Sequence, residues 1–154
     1  MSVKDTARRI RQEIVAQAAA VELSPAPPEG WIATVRKALG MTGVELAKRL
    51  GVVAQRVSEV ERREIEGVVT LTTMRAAAEA MGCRFVYAIV PEGGKIEDVI
   101  AAQARKKARA IVTRAAGHMA LEAQALTAEQ DAEQIERMAQ DLIRDMPRDL
   151  WRDE

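Results

Sequence analysis

The stretch MTGVELAKRLGVVAQRVSEVERRE, from Met41 to Glu64, decides the fold of the middle of this chain. Its start, Thr42 to Glu45, has the form of a capping box, in which a threonine and a glutamate three residues later satisfy each other's backbone amides. Gly51 then stands where a left-handed residue usually ends a helix. A second helix begins after this turn, with Val57 and Val60 spaced to face inward. The pattern predicts two short helices joined by a tight glycine turn.

Turning the two valines inward leaves a polar face on the second helix that suits DNA. Gln55 can bond an adenine edge, Arg56 a guanine or a phosphate, and Glu59 the amino group of a cytosine. Ala54 can contact a thymine methyl group, and the start of the first helix and the end of the second suit phosphates. The predicted DNA-contacting residues are Thr42, Gly43, Ala54, Gln55, Arg56, Ser58, Glu59, Arg62 and Arg63. The alternative interpretation is a helical hairpin whose charged face is only solvated.

The order of residues resembles the Cro/CI-type helix-turn-helix, or XRE, family. There a polar cap precedes Leu-Ala, three variable residues and Gly-Val, and the recognition helix ends near a glutamate. The matching residues here are Leu46, Ala47, Gly51, Val52, Val57, Val60 and Glu61. Two positions depart from the family: Gly43 replaces a frequent glutamine, and Val53 replaces the usual capping Ser or Thr. The resemblance implies a lambda-repressor-like domain that binds double-stranded DNA.

A wider resemblance covers nearly the whole chain. The segments LAKRLGV, RVS, EIEGVVTLTTMRAAAEAMGC and VYAIVP, with PRDLW near the C-terminus, are similar to the mobile mystery protein A family. Its members accompany a partner with a Fic domain, so the resemblance implies an antitoxin-like repressor that binds a Fic-domain protein and its own operator. Many Fic antitoxins inhibit through Ser/Thr-x-x-x-Glu followed by Gly or Asn, but none of the Glu-Gly pairs at Glu29, Glu66 and Glu92 fits this motif.

A β-rich run from Cys83 to Val90 interrupts an otherwise helical pattern. Since no second convincing strand is present, this run predicts a strand that pairs antiparallel with its counterpart in a second copy, giving a homodimer. The predicted dimer strand comprises Phe85, Val86, Tyr87, Ala88 and Ile89. Cys83 itself is interpreted as a buried apolar residue rather than a reactive thiol.

Helical periodicity predicts five further helices. They run from Val3 to Val21, Trp31 to Leu39, Thr70 to Met81, Lys95 to about Ala125, and from a second capping box at Thr127 to Met146. The first is expected to turn inward Val3, Ala7, Ile10, Ile14, Ala18 and Val21, and the second Trp31, Val35 and Leu39. For the third of these helices the expected inward residues are Leu71, Met74, Ala78 and Met81, and for the fourth Ile96, Val99, Ile100, Ala104, Ala108, Ile111, Val112 and Ala115. For the last they are Ile135, Met138, Ala139, Leu142, Ile143 and Met146. Leu150 and Trp151 either join the core, which is the preferred interpretation, or anchor a partner.

Composition narrows the classes of function. The chain has 23 basic and 23 acidic residues, but the segment from Glu122 to Glu154 holds ten acidic against four basic residues, while the middle is basic. The single cysteine excludes an internal disulfide and a cysteine-cluster zinc site, and the single histidine leaves little material for metal ligation. No catalytic dyad or phosphate loop is recognisable, so we expect no enzyme activity, no cofactor and no metal. No apolar run approaches the roughly 18 residues of a membrane span, and the charged N-terminus is unlike a signal peptide, so a cytoplasmic location is expected.

The sequence therefore predicts a mainly α protein, with a lambda-repressor-like helix-turn-helix domain, one short β-strand paired between copies, and flanking helical arms. The predicted divisions are a helical arm (1–23), a linker (24–30), the DNA-binding domain with its strand (31–90) and a C-terminal dimerisation or partner region (95–154). The predicted function is a sequence-specific transcriptional regulator that represses its own gene as the antitoxin-like partner of a Fic-domain protein. The alternative is an adaptor or antitoxin that neutralises a partner protein without binding DNA.

Overall fold

The computed structural model describes residues 2–121 and 127–153, which contain seven α-helices. These are α1 (Val3–Ala19), α2 (Trp31–Ala38), α3 (Gly43–Leu50), α4 (Ala54–Ile65), α5 (Leu71–Ala80), α6 (Ile96–Leu121) and α7 (Ala128–Asp145). The predicted end of the long helix near Ala125 lies outside the described residues. The mainly helical class is confirmed. The chain divides into two compact units, one formed by Glu22–Ala88 and the other by Met1–Val21 with Ile89–Glu154.

Helices α2 to α5 enclose the core of the first unit. Its buried members are Ile32, Leu46, Ala47, Val57, Val60, Met74, Ala77 and Met81. The inward positions predicted for α4 are confirmed, with Val57 3% and Val60 8% exposed. Leu46 and Ala47 of α3, which match the helix-turn-helix pattern, are buried as well. Of the face predicted for α2, Val35 packs against the core, but Trp31 and Leu39 are exposed, and Ile32 and Ala33 are buried instead. The side of this two-turn helix that is buried is set by its contacts with α4 and α5, which the periodicity of so short a segment does not specify.

The predicted β-strand is not seen. Residues 84–90 have no regular secondary structure, and apart from the half-buried Phe85 all of their side chains are exposed, Ile89 by 92%. A strand exists only where a neighbouring strand accepts and donates its backbone hydrogen bonds, and the described part of this chain supplies no such neighbour. The prediction for Cys83 is also wrong, because this residue is exposed.

In the second unit α6 and α7 pack against each other. The core between them contains Ile100, Ala104, Ala108, Ala139 and Leu150, and the apolar residues predicted for α7 pack against it. Val112 of α6 is also buried, but Val99, Ile111 and Ala115, which were predicted to face inward, are exposed. Small alanines at one-turn spacing let the two helix backbones approach closely. Near the C-terminus, Leu150 is fully buried and belongs to the core, as the preferred interpretation expected. Trp151 does not, because it is 54% exposed.

Helix α1 packs in the second unit with the side opposite to the predicted one. It contacts α6, and its half-buried residues include Arg8, Gln12 and Val15. The large aliphatic residues that were expected to face inward, among them Ile10 and Ile14, are exposed. Apolar spacing predicts the helix correctly, but it does not show whether the chain itself supplies a surface to cover the apolar side.

Candidate nucleic-acid interface

The turn between α3 and α4 is fixed by contacts that are local in sequence. The amide of Thr42 donates to Glu45 Oε2 at 2.7 Å, and the amide of Glu45 donates to Thr42 Oγ1 at 3.2 Å, so the predicted capping box is present. Gly51 ends α3 with a φ of 69°, where a residue with a Cβ would be strained. Val53 precedes α4 with extended backbone and no side-chain cap. This geometry presents α4 to solvent along its polar face.

The outer face of α4 forms a shallow depression at the protein surface. It is lined by Val53, Gln55, Arg56, Ser58, Glu59 and Arg62. Of the nine predicted DNA-contacting residues, Gly43, Glu59 and Arg63 are partly covered, and the other six are exposed. Because Val57 and Val60 are both buried, the helix can turn only its polar side outward. The structure thus brings the predicted base-contacting residues together on one surface.

Ion pairs hold several of these side chains in the free protein. Arg56 Nη1 lies 3.0 Å from Glu59 Oε2, one turn further along the helix, and Arg62 Nη1 lies 2.5 Å from Glu66 Oε1. Arg63 contacts the carbonyl oxygen of Val68 at 3.5 Å. These pairs are well exposed, so each contributes little to stability and can open when another charge approaches.

The two amides predicted to bind a phosphate differ in their surroundings. That of Thr42 already donates to Glu45, whereas that of Gly43 is the first of the helix and has no acceptor within α3. The hydrogen bonds from the Thr42 amide and hydroxyl hold the pKa of Glu45 below its ordinary value. Gly43 is therefore the better of the two positions for a phosphate contact.

Two further glutamates on α4 have roles that the sequence did not reveal. Arg36 Nε donates to Glu61 Oε1 at 2.7 Å, and Arg36 Nη2 donates to Glu61 Oε2 at 3.2 Å, in a pair that is largely buried. The hydrogen bond that Arg36 donates to this carboxylate raises the pKa of Arg36. The pair ties α2 to the middle of α4. Its partners are 25 residues apart, so no local pattern could have paired them.

Glu64 caps the start of α2, a helix that is distant from it in sequence. Its two carboxylate oxygens accept from the amides of Trp31 and Ile32 at 2.7 and 3.1 Å, at the start of α2. A negative group here also complements the positive end of the helix. Gly30, with a φ of 83°, makes room for it, since a Cβ at this position would stand 2.7 Å from Glu64 Oε2. The end of α4 is thereby anchored while its start remains open.

Comparison with known families identifies this part of the chain. Residues 32–87 match a family model described as helix-turn-helix. Comparison with curated proteins and with solved structures finds no match. The match covers α2 to α5 and the segment that follows them, so the chain contains a helix-turn-helix domain.

Two negative observations apply to the described ranges, 2–121 and 127–153. No helix in them is long and apolar enough to cross a membrane. No three His, Cys, Asp or Glu side chains in them are grouped so that they could hold a metal ion.

Proposed function

We propose that this helix-turn-helix domain binds double-stranded DNA sequence-specifically and that the protein regulates transcription. The observation that carries the proposal is the orientation of α4 within the matched range. Its two valines are buried, and its glutamine, arginine and serine side chains line one open surface. In helix-turn-helix proteins the second helix of the motif lies in the major groove.

The contacts follow from the chemistry of this surface. Gln55 is free to form a bidentate bond with an adenine, and Arg56 and Glu59 together present donors to guanine and an acceptor for a cytosine amino group. Arg62, with Arg63 behind it, contacts phosphates, and the free amide of Gly43 contacts another at the start of α3. Phosphate contacts position the helix, and the base contacts select the sequence.

A homodimer would read two half-sites. Val86, Tyr87 and Ile89 are exposed while Phe85 is half-buried, and we propose that residues 85–89 pair antiparallel with the same residues of a second copy. Such a two-fold pair would place two α4 helices in successive major grooves, about 34 Å apart, on a palindromic operator.

The resemblance to the mobile mystery protein A family supports a more specific role. On that basis we propose that the regulator represses its own gene and acts as an antitoxin-like partner of a Fic-domain protein in the cytoplasm. We propose no enzyme activity, because no catalytic dyad or phosphate loop is recognisable in the sequence.

A second candidate function is an adaptor that neutralises a partner without binding DNA. Two ion pairs on α4 and the zero net charge of the chain favour it, because they weaken the attraction to phosphate. Salt separates the two functions. Binding to DNA should weaken steeply as salt rises, through the release of counterions.

Selection of bound DNA from a random pool tests the primary proposal. Replacing Gln55 and Arg56 by alanine should abolish sequence selection, because the side chains that contact bases are lost, while the sedimentation of the protein stays unchanged. A matched control replaces Gln140 and Arg144 by alanine, which lie on the exposed side of α7. If the α4 variant selected the same sequence as the control, the assignment of α4 as the recognition helix would be refuted.

A further inference from the structure

A cavity of about 300 Å³ opens on the first unit, between α2, α5 and the segment that follows α5. Its lining is mostly apolar and includes Trp31, Ile32, Val35, Met74, Met81 and Phe85. None of the residues predicted to contact DNA is among the lining residues. This space, here called the α2–α5 cavity, is therefore a different surface from the outer face of α4.

The walls of the α2–α5 cavity suit a flat apolar molecule. Trp31 and Phe85, two of the four aromatic residues of the chain, both line it. Met74 and Met81 have adaptable side chains whose sulfur atoms make favourable contacts with aromatic rings. Trp31 is 40% and Val86 56% exposed, so a bound molecule would remove apolar surface from water.

The wall that follows α5 is held in place by contacts within the same unit. Phe85 packs against the core, and its ring stacks on that of Tyr87 with the centroids 5.7 Å apart. The guanidinium of Arg75, on α5, lies 5.9 Å from the centroid of the Tyr87 ring. The amide of Cys83 donates to the carbonyl oxygen of Ala78 at 2.8 Å. The cavity is therefore already formed in the free protein.

The polar groups of the lining indicate the charge of a ligand. Arg84 is exposed and, within the described residues, makes no hydrogen bond or ion pair, unlike Arg36 and Arg56. The thiol of Cys83 already lies 3.5 Å from the carbonyl oxygen of Met81. No acidic side chain of the described residues lines the cavity. An unpaired guanidinium beside an apolar cavity favours a carboxylate, which it can bind with two parallel hydrogen bonds.

We propose that the α2–α5 cavity binds a small aromatic carboxylate, with its ring against Trp31 and Phe85 and its carboxylate paired with Arg84. A space of about 300 Å³ accommodates a ring system of about ten to fifteen non-hydrogen atoms. Sites for small molecules are typically concave and apolar, with a few polar groups that orient the ligand. Such binding does not depend on the proposed DNA contacts.

Isothermal titration calorimetry of the full-length protein with naphthoate tests the proposal. Naphthoate should bind with a Kd below about 1 mM, and naphthamide, its neutral counterpart of the same shape, at least about fivefold more weakly. Arg84→Gln should weaken naphthoate about tenfold but naphthamide less than about twofold, because only the charged hydrogen bonds are lost. Lys48→Gln, which removes an exposed positive charge from α3, is the control and should change neither. Equal affinity of the parent for the two probes, or an Arg84→Gln variant that binds naphthoate like the control, would overturn the proposal.

Nuclear magnetic resonance of isotope-labelled methionine methyl groups locates the binding. Naphthoate should shift the signals of Met74 and Met81 and leave that of Met138, in the second unit, unchanged. Ala78→Leu narrows the cavity and should abolish these shifts, whereas Ala76→Leu, at an exposed position of α5, should preserve them.

Two results of this measurement would contradict the site. Naphthoate-induced shifts confined to other methionines would place the binding elsewhere. Signals of Met74 and Met81 that move with protein concentration in the absence of naphthoate would show that a second copy fills the cavity. Neither readout requires DNA, so loss of DNA selection in a protein that binds naphthoate would overturn the proposed function alone.

Discussion

The glutamates of α4 have different roles because they point to different sides of the helix. Glu59 lies on the outer face beside Arg56, whereas Glu61 and Glu64 turn back towards α2. Replacement of the outer residue should therefore leave the fold largely intact. The inner two hold the helix in place, so their loss should affect stability first.

Glu61→Ala should lower the free energy of unfolding by about 3 kcal/mol, because it leaves the largely buried Arg36 guanidinium without its partner. Urea denaturation followed by circular dichroism measures this. Glu59→Ala, in an exposed pair, is the matched control and should cost less than about 1 kcal/mol. Equal losses in the free energy of unfolding for the two variants would show that water solvates Arg36 after Glu61 is removed.

Gly43→Gln should strengthen DNA binding by about fivefold, since a glutamine at the start of α3 can add one hydrogen bond to a phosphate. The position can accept a side chain, because an added Cβ would meet nothing closer than Val57 Cγ1 at 4.0 Å. Gly51→Gln is the contrasting control and should destabilise the domain, since its φ is 69°. Fluorescence anisotropy with the selected operator measures the affinity. An unchanged affinity of the Gly43→Gln variant would contradict the prediction that a side chain at this position reaches a phosphate.

At the scale of elements, helix ends are determined by caps of two kinds. Helices α1, α3 and α7 begin with capping boxes made by residues three positions apart. Helix α2 instead takes its cap from Glu64, and α4 has no side-chain cap. The first kind can be found in a sequence, as it was at Thr42 and Thr127, and the second can be found only in a folded chain.

The cap of α3 gives the domain a defined pH dependence. Hydrogen bonds from Thr42 lower the pKa of Glu45 in the folded state below the ordinary value of 4.5. A carboxylate with a lowered pKa contributes stability that is complete above that ordinary value and is lost as pH falls through the folded-state pKa. Glu45→Gln keeps an acceptor for the cap but does not titrate, so stability should fall less steeply below pH 4.5 than in the parent. Urea unfolding at several pH values measures this, with Glu79→Gln on the exposed side of α5 as the control. An identical acid dependence for the Glu45 variant and the parent would contradict the prediction.

At the scale of the whole molecule, the chain is built from two units with separate cores. The core of the second unit depends on alanines along α6 and α7 and on one residue from beyond the last helix, Leu150. Gln103 Nε2 donates to the carbonyl oxygen of Leu150 at 2.8 Å and helps to hold this segment in place.

Leu150→Ala should destabilise the second unit by about 3 kcal/mol, because it empties a fully buried site between two helices whose small side chains cannot fill it. Trp151→Ala, one residue later and largely exposed, should cost much less. Hydrogen exchange of the amides of α6 and α7 measures both variants. Protection that falls equally in the two would show that Trp151 contributes as much packing as Leu150.

The sequence by itself determined the helices, the glycine turn, two of the capping boxes and the inward residues of α4 and α7. These features depend on hydrogen bonds and periodicities that span only a few residues, so the local order of residue types is sufficient. The same reasoning located the candidate DNA-contacting face, because hiding Val57 and Val60 leaves α4 one possible outer side.

Only the tertiary structure decided which faces of α1 and α2 are covered, that residues 84–90 have no strand partner in the described part of the chain, and that Arg36 and Glu64 join α2 to α4. Each of these outcomes depends on groups brought together from distant parts of the chain. An apolar stripe specifies that a surface should be covered, but the covering surface comes from whichever element packs there. For the apolar side of α1, no described part of the same chain supplies that surface.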